Sequence, residues 1–273
     1  MLSKTELDEL CAFVIAAARG ELMTRFERVS AARKDDGSLI TEADLAMQDR
    51  LQRELSSRWP AFSLLGEEMT APEQEALLVD PGRGLWCLDP LDGTSNFAAG
   101  IPFFGVSLAL IQDGAVQAAV VYDPVREECF SALRGGGAWL NGAPLRTSGV
   151  PESLADAMAM VDLKRLPDAL IRALAKGAPY RSQRSFGSVA LDWCWVACGR
   201  CQVYLHGGQK LWDYAAGQLI ANESGAAGGL LRAYDSAWLD QLSLTPRIAV
   251  AAGSTELLNQ WRNWIGGVLA AVR

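Results

Sequence analysis

Asp89 and Asp92 stand three residues apart with Pro90 between them, and Gly93-Thr94 follow directly. A short apolar run, Leu85–Leu88, leads into them and reads as a buried strand. Each residue type has a chemical use in that order. A strand end fixes the first carboxylate, and Pro90 stiffens the turn. Gly93 lets backbone N–H groups turn toward an anion, and a helix beginning near Thr94 would strengthen that site. Two carboxylates beside an anion cradle repel each other unless a cation lies between them. The same residues also suit a plain turn with an aspartate cap and a glycine at positive φ. Taken alone, the segment leaves both readings open.

Three further acidic positions bear on that choice. Gly66-Glu67-Glu68 follows the apolar run Phe62–Leu65, and reads as a charged loop or as carboxylates delivered to a site. Trp212-Asp213 precedes Tyr214-Ala215-Ala216-Gly217, a helix start where an aspartate also favours the N-terminal dipole. Thr41-x-x-Asp44 has the spacing of a capping box variant. Each has a structural explanation, so only their combination is informative.

Composition narrows the chemistry. His206 is the only histidine, so at most one imidazole is available for acid–base work or metal binding. Acidic residues are plentiful, and hard carboxylate ligands suit Mg²⁺, Mn²⁺ or Ca²⁺. The formal net charge of −7 argues against a general nucleic-acid binder. Phosphorylated substrates remain compatible with it, because bound cations supply local positive charge. The six cysteines, with Cys198-Gly199-Arg200-Cys201 lacking a second pair, read as buried reduced thiols. No basic apolar leader opens the sequence and no apolar run reaches membrane-spanning length, so a cytoplasmic protein without membrane contact is expected.

The elements that must position these residues are legible in outline. Residues 4–28 carry apolar positions at helical spacing, and Thr41 starts a second helix through about Ser57. Phe104–Ile111 and Ala115–Tyr122 flank Gln112-Asp113-Gly114 as a hairpin. Phe130–Leu133 and Ala138–Leu140 continue that sheet, with Asn141-Gly142 as another turn. A Ser/Gly/Pro cluster near Thr147–Glu152 suggests two subdomains, 1–148 with most of the acidic positions and 149–273 with Asp213. The second half alternates: strand 157–161, helices 166–176 and 187–199, strand 201–205, helix 212–224, strand 247–252, helix 254–270. The expectation is a layered α/β protein with two sheets of antiparallel or mixed pairing.

Together the acidic segments resemble the inositol monophosphatase family, a lithium-sensitive branch of the Mg²⁺-dependent sugar-phosphatase superfamily. That family shows Gly-Glu-Glu, then Asp-Pro-[Ile/Leu]-Asp-Gly-Thr-x-Asn-[Phe/Tyr], then Trp-Asp-x-Ala-[Ala/Gly]-[Gly/Ala], which here stand as Gly66–Glu68, Asp89–Phe97 and Trp212–Gly217. Leu39–Asp44, Phe186-Gly187-Ser188 and Val196–Gly199 match as well, so the resemblance spans about residues 5 to 265. It implies an αβαβα sandwich with two mixed sheets. It also implies two to three Mg²⁺ ions, with Mn²⁺ as an alternative. Glu67, Asp89 and the Leu91 carbonyl would hold one ion, Asp89, Asp92 and Asp213 a second, and Glu67 would share a weaker third. Thr94 and Asp44 would orient and deprotonate the attacking water. Leu91, Asp92, Gly93, Thr94, Gly187, Ser188, Val189, His206 and Asp213 would meet phosphate or substrate. The implied reaction is direct attack of water on a phosphate monoester, with a small phosphorylated polyol or sugar as partner and a homodimer as assembly.

Two departures bear on the substrate. The position that often holds a glutamate against inositol hydroxyls is His206 here. Ser95-Asn96-Phe97 follows the inositol monophosphatase branch rather than the Lys-Glu-Phe of bisphosphate nucleotidases. Lys34 or Arg33 would sit in a mobile loop near the third ion or on solvated surface. Inositol 1-phosphate therefore leads, with fructose 1,6-bisphosphate, histidinol phosphate and nucleoside 3′(2′),5′-bisphosphates as alternatives. A regulatory protein or RNA-binding role on the same fold is the alternative of another class.

Overall fold

The computed structural model describes residues 2–26, 32–33, 39–79, 82–239 and 241–271. Lys34 and the side chain of Arg33, expected near a third ion, lie outside the described residues.

Helix α1 (Lys4–Glu21) begins at a capping box, in which Ser3 and Glu6 each accept from the other's backbone N–H. Leu7, Leu10, Val14, Ala17 and Ala18 form its buried stripe. The helix stops short of the expected residue 28: the chain turns through 22–26, where the Thr24 hydroxyl takes up the Gly20 carbonyl. A two-residue pair, β1 (Ala32–Arg33) with β2 (Leu39–Ile40), precedes α2 (Glu42–Arg58).

The described residues then build a seven-stranded sheet in sequence order. Its strands are β3 (Ser63–Gly66), β4 (Leu85–Asp92), β5 (Gly105–Gln112), β6 (Ala115–Asp123), β7 (Glu128–Leu133), β8 (Gly137–Leu140) and β9 (Ala143–Leu145). Helix α3 (Ala71–Val79) bridges β3 and β4, which are parallel, and the short α4 (Thr94–Ala98) follows β4. The remaining neighbours pair antiparallel. Asp113 and Gly114 take φ 52° and 73°, and Asn141 and Gly142 take 50° and 80°, which suits tight hairpin turns.

A second, five-stranded sheet has the order β11-β10-β12-β14-β13. These strands are β10 (Met158–Asp162), β11 (Ser182–Arg184), β12 (Val203–Gln209), β13 (Ala227–Leu231) and β14 (Arg247–Ala252). Between them run α5 (Asp168–Gly177), α6 (Val189–Ala197) and α7 (Leu211–Ser224), and α8 (Thr255–Ala270) closes the fold.

Side-chain alternation along the strands explains the layering. Trp86 and Leu88 of β4 point to the α1–α2 core, whereas Leu85 and Cys87 point to the core built around α6 and α7. In the second sheet, Tyr204 and Ala251 face α6–α7, while Val203, Leu205 and Val250 face α5 and α8. The architecture is therefore αβαβα, with two mixed sheets enclosing a central helix pair. That pair packs closely: a Cβ at Gly217 of α7 would lie 2.6 Å from Cβ of Trp193 on α6. All six cysteines are free thiols, and four of them are buried. No helix among the described residues is long and apolar enough to cross a membrane.

Candidate active site

Strand β4 is buried along its whole length and carries both aspartates at its end. Its register with β5 holds through Asp89↔Ser107, then slips before Asp92↔Gly105, at the point where Pro90 has no N–H to give the ladder. The strand thus continues four residues beyond the expected Leu88, because its carboxylates are buried rather than turned to solvent. Asp89 Oδ1 accepts the Leu91 N–H at 3.0 Å, which closes the turn. Gly93 then takes φ 94°, and a Cβ there would meet the Phe103 carbonyl oxygen at 3.1 Å.

Other elements bring the remaining acids to the same place. Glu67 leaves β3 with its N–H donating to Leu88 O at 3.0 Å, so it emerges beside Asp89. Asp44 closes the capping box of α2: its Oδ2 accepts the Thr41 N–H at 2.7 Å and hydroxyl at 2.6 Å. Its Oδ1 lies 3.2 Å from Thr94 Oγ1, whose proton also has Leu91 O within 2.9 Å. Asp44 is therefore both a helix cap and a partner of Thr94. Asp213 sits in the first turn of α7, where its Oδ2 accepts the Lys210 N–H at 2.8 Å. Ser107 of β5 anchors that turn by donating to Trp212 O at 2.9 Å.

Ser188, expected among the substrate contacts, is instead fully buried and donates to Asp92 Oδ2 at 2.6 Å. The Ala190 N–H gives the same oxygen a second bond at 2.7 Å. Gly187 and Val189 do face the cavity. Asn96 ties the two halves of this region, its Nδ2 donating to Phe103 O and Phe186 O at 2.7 Å each.

The result is a cavity of about 450 Å³. Its lining includes Glu67, Asp89, Leu91, Asp92, Gly93, Thr94 and Asp213. Asp162, Lys164, Arg165, His206, Gly208 and Lys210 line the cavity as well. A larger cavity, about 740 Å³, lies between α3 and the segment 241–245, but its acids, Glu75 and Asp113, belong to no such cluster.

Crowding of like charges shows in the proton affinities. Burial pushes Asp89 well above the ordinary carboxylate range, and Glu67, Asp92, Asp213 and Asp44 add repulsion. Asp92 is pushed up to about 6 by burial, against the pull of Ser188 and of the Ala190 and Val189 N–H groups. Asp213 is pushed up to about 8 by burial, then by Asp92 and Glu67. Burial also raises Asp44, against its bonds to Thr41 and Thr94. Among the described residues, no three acids are already gathered as a finished metal cage. The donor set is nevertheless all oxygen, hard and mutually repelling, which fits a divalent cation such as Mg²⁺ better than any arrangement of protons alone.

The sequence model of the inositol monophosphatase family matches residues 5–265. The chain belongs to the inositol monophosphatase family. Inositol monophosphatase 1 of Solanum lycopersicum is 33% identical over 248 residues, covering 85% of this chain and 86% of that one. Nus factor SuhB of Pseudomonas aeruginosa is 35% identical over 245 residues, covering 79% and 81%. Among solved structures, a Thermotoga maritima IMPase superposes with TM-score 0.82 at 25% identity, covering 98% of this chain and 100% of that one. An IMPase/NADP phosphatase complexed with Mg²⁺ and phosphate superposes with TM-score 0.77 at 25% identity, covering 93% and 94%. The protein is accordingly a phosphatase of this family, on the expected fold.

His206 departs from its expected setting. It lies within β12, one residue past the expected strand end at 205, and is only 3% exposed. Its Nδ1 accepts the Gly208 N–H at 3.1 Å and its Nε2 lies 3.0 Å from Asp162 Oδ2. Both ring nitrogens are thus engaged by the protein. Asp162, Lys164 and Arg165 were not legible as site residues. The one signal was a charged cluster just past the apolar run Ala157–Val161, which any strand end can carry.

Proposed function

We propose that this phosphatase hydrolyses a small polyol or sugar phosphate, inositol 1-phosphate foremost, in a Mg²⁺-dependent reaction. The observation that carries the reading is the convergence of Glu67, Asp89, Asp92 and Asp213 on one cavity beside Gly93 and Thr94. Glu67, Asp89 and the Leu91 carbonyl would hold one ion, Asp89, Asp92 and Asp213 a second, with Glu67 shared by a weaker third. When bound, such ions polarise the phosphate and its water and offset the carboxylate charge.

The chain's own groups do the rest. The Gly93 and Thr94 N–H groups bind phosphate oxygens. Thr94 Oγ1 and Asp44 Oδ1 orient the water that attacks phosphorus, and this pair accepts its proton. The bond to the alcohol oxygen breaks in line, and that oxygen takes a proton from solvent.

A phosphate-release panel with Mg²⁺, with and without Li⁺, tests the assignment. Inositol 1-phosphate should be hydrolysed and Li⁺ should inhibit; release from adenosine 3′,5′-bisphosphate alone would overturn the substrate class. Relatives named Nus factor SuhB favour a second reading, a regulatory or RNA-binding role on this fold. RNA binding that survives Asp89→Asn in a gel-shift assay would support it. The reading includes a homodimer, which a single-chain mass in light scattering would contradict.

A further inference from the structure

The same cavity holds one more carboxylate, of a different character. Asp162 ends β10, directly beside His206 in the parallel β10–β12 pairing. Its Oδ2 lies 3.0 Å from His206 Nε2, and its Oδ1 accepts the Lys164 N–H at 2.9 Å. His206 is locked in turn by Gly208, because an Nδ1 that accepts leaves the ring proton on Nε2. The side chain remains 27% exposed and faces the cavity. Arg165 stands 4.0 Å from Oδ2, beyond direct hydrogen bonding.

From this we infer that Asp162 is the specificity-determining carboxylate of the site, accepting hydroxyl protons from the alcohol portion of the phosphate ester, and that His206 is its positioning residue. The inference rests on the phosphatase reading above and names what that site selects. An ionised carboxylate offers about four acceptor positions, and the protein fills two of them here. The side chain is open to the cavity, so the remaining positions are available to a bound molecule. Hydroxyl donors on neighbouring carbons suit them. Burial opposes ionisation, yet the His206 bond outweighs it and holds Asp162 at about 2, so the acceptor is charged throughout the neutral range. His206 cannot itself take this role, since neither nitrogen is open. A group fixed at both oxygens loses little freedom on binding, which favours selection over adaptability.

The test compares full-length wild type, Asp162→Asn and His206→Gln, each with Mg²⁺, on three esters. Inositol 1-phosphate and glycerol 2-phosphate carry leaving-group hydroxyls; 4-nitrophenyl phosphate carries none. Asp162→Asn should lower kcat/KM for the two polyol esters about ten- to a hundred-fold, mainly through KM, and leave 4-nitrophenyl phosphate within about twofold. Free inositol should likewise lose about tenfold as a competitor of 4-nitrophenyl phosphate hydrolysis. His206→Gln should shift the same ratio in the same direction by less. Melting curves on each variant separate this from lost folding, which would lower all three esters together. An equal fall on all three esters with an unchanged melting point, or no fall at all, overturns the inference and leaves the phosphatase reading standing. Wild type that hydrolyses none of the esters removes that reading, and the inference with it.

Discussion

Stripping divalent cations and then raising the pH should destabilise this protein. Asp92 is pushed up to about 6 and Asp213 up to about 8 in the fold, from an ordinary value of 3.8. A carboxyl with a raised folded pKa keeps its proton longer in the fold than in the unfolded chain. Stability is therefore full below the unfolded value and falls as pH climbs toward the folded one. Each pH unit inside that window costs about 1.4 kcal/mol per group. Between about pH 5 and about pH 8, Asp213 would lose ~4 kcal/mol and Asp92 ~1 kcal/mol. The two repel each other and so do not add, and Asp213 is partly open to solvent. The expected loss is about 3 kcal/mol. For a chain of this size that lowers Tm by about 6 °C or more. The assay is thermal unfolding in EDTA across that range, repeated with Mg²⁺ and with Asp213→Asn. Mg²⁺ should flatten the slope by offsetting the charge, and the substitution should remove part of it in EDTA, since Asp89 is raised in the same way. A metal-free Tm that is flat or rises with pH, or an Asp213→Asn protein with an unchanged slope, would refute the reasoning.

Three substitutions probe the neighbouring groups. Asp89→Asn should abolish turnover, by about a thousand-fold or more, while circular dichroism stays native, because the side chain keeps its shape and loses its charge; near-normal activity in a folded variant would sink the metal assignment. Gly93→Ala should cost about 1–3 kcal/mol in denaturant unfolding, since the residue sits at φ 94° with Phe103 O in the way, and should slow phosphate release as its N–H shifts. Asn96→Ala strips donors from Phe103 O and Phe186 O and should cost about 1–3 kcal/mol, with a milder loss of kcat than Asp89→Asn.

Local signals carried much of the fold. Helices α1, α2 and α8 announce themselves through caps at Ser3, Thr41 and Ser254 and through inward-facing leucines. Asp113-Gly114 and Asn141-Gly142 mark hairpins because few other pairs accept positive φ. Helix α3 has a weak local signal: it fully buries only Gln74, with Leu77 and Leu78 half-buried against the central core. Strand β13 escaped notice, since Ala227-Gly228-Gly229 lacks the branched residues that favour strands. Helix α6 is shorter than its apolar run of 187–199, trimmed by Gly187 and Gly199 at positive φ.

For the site, the sequence by itself carried the family: three ordered motifs resemble those of inositol monophosphatases, and the family match over residues 5–265 bears that out. Motifs are legible this way because turn geometry and ligand type are local properties of a few adjacent residues. Only the tertiary structure decided what each group touches. Ser188 proved a support for Asp92, Asn96 a strut between two loops, and His206 a brace for Asp162. Asp162 and His206 lie forty-four positions apart in the chain and side by side in the sheet. Strand register brings them together, and register depends on how whole faces are buried, which no short stretch of sequence records.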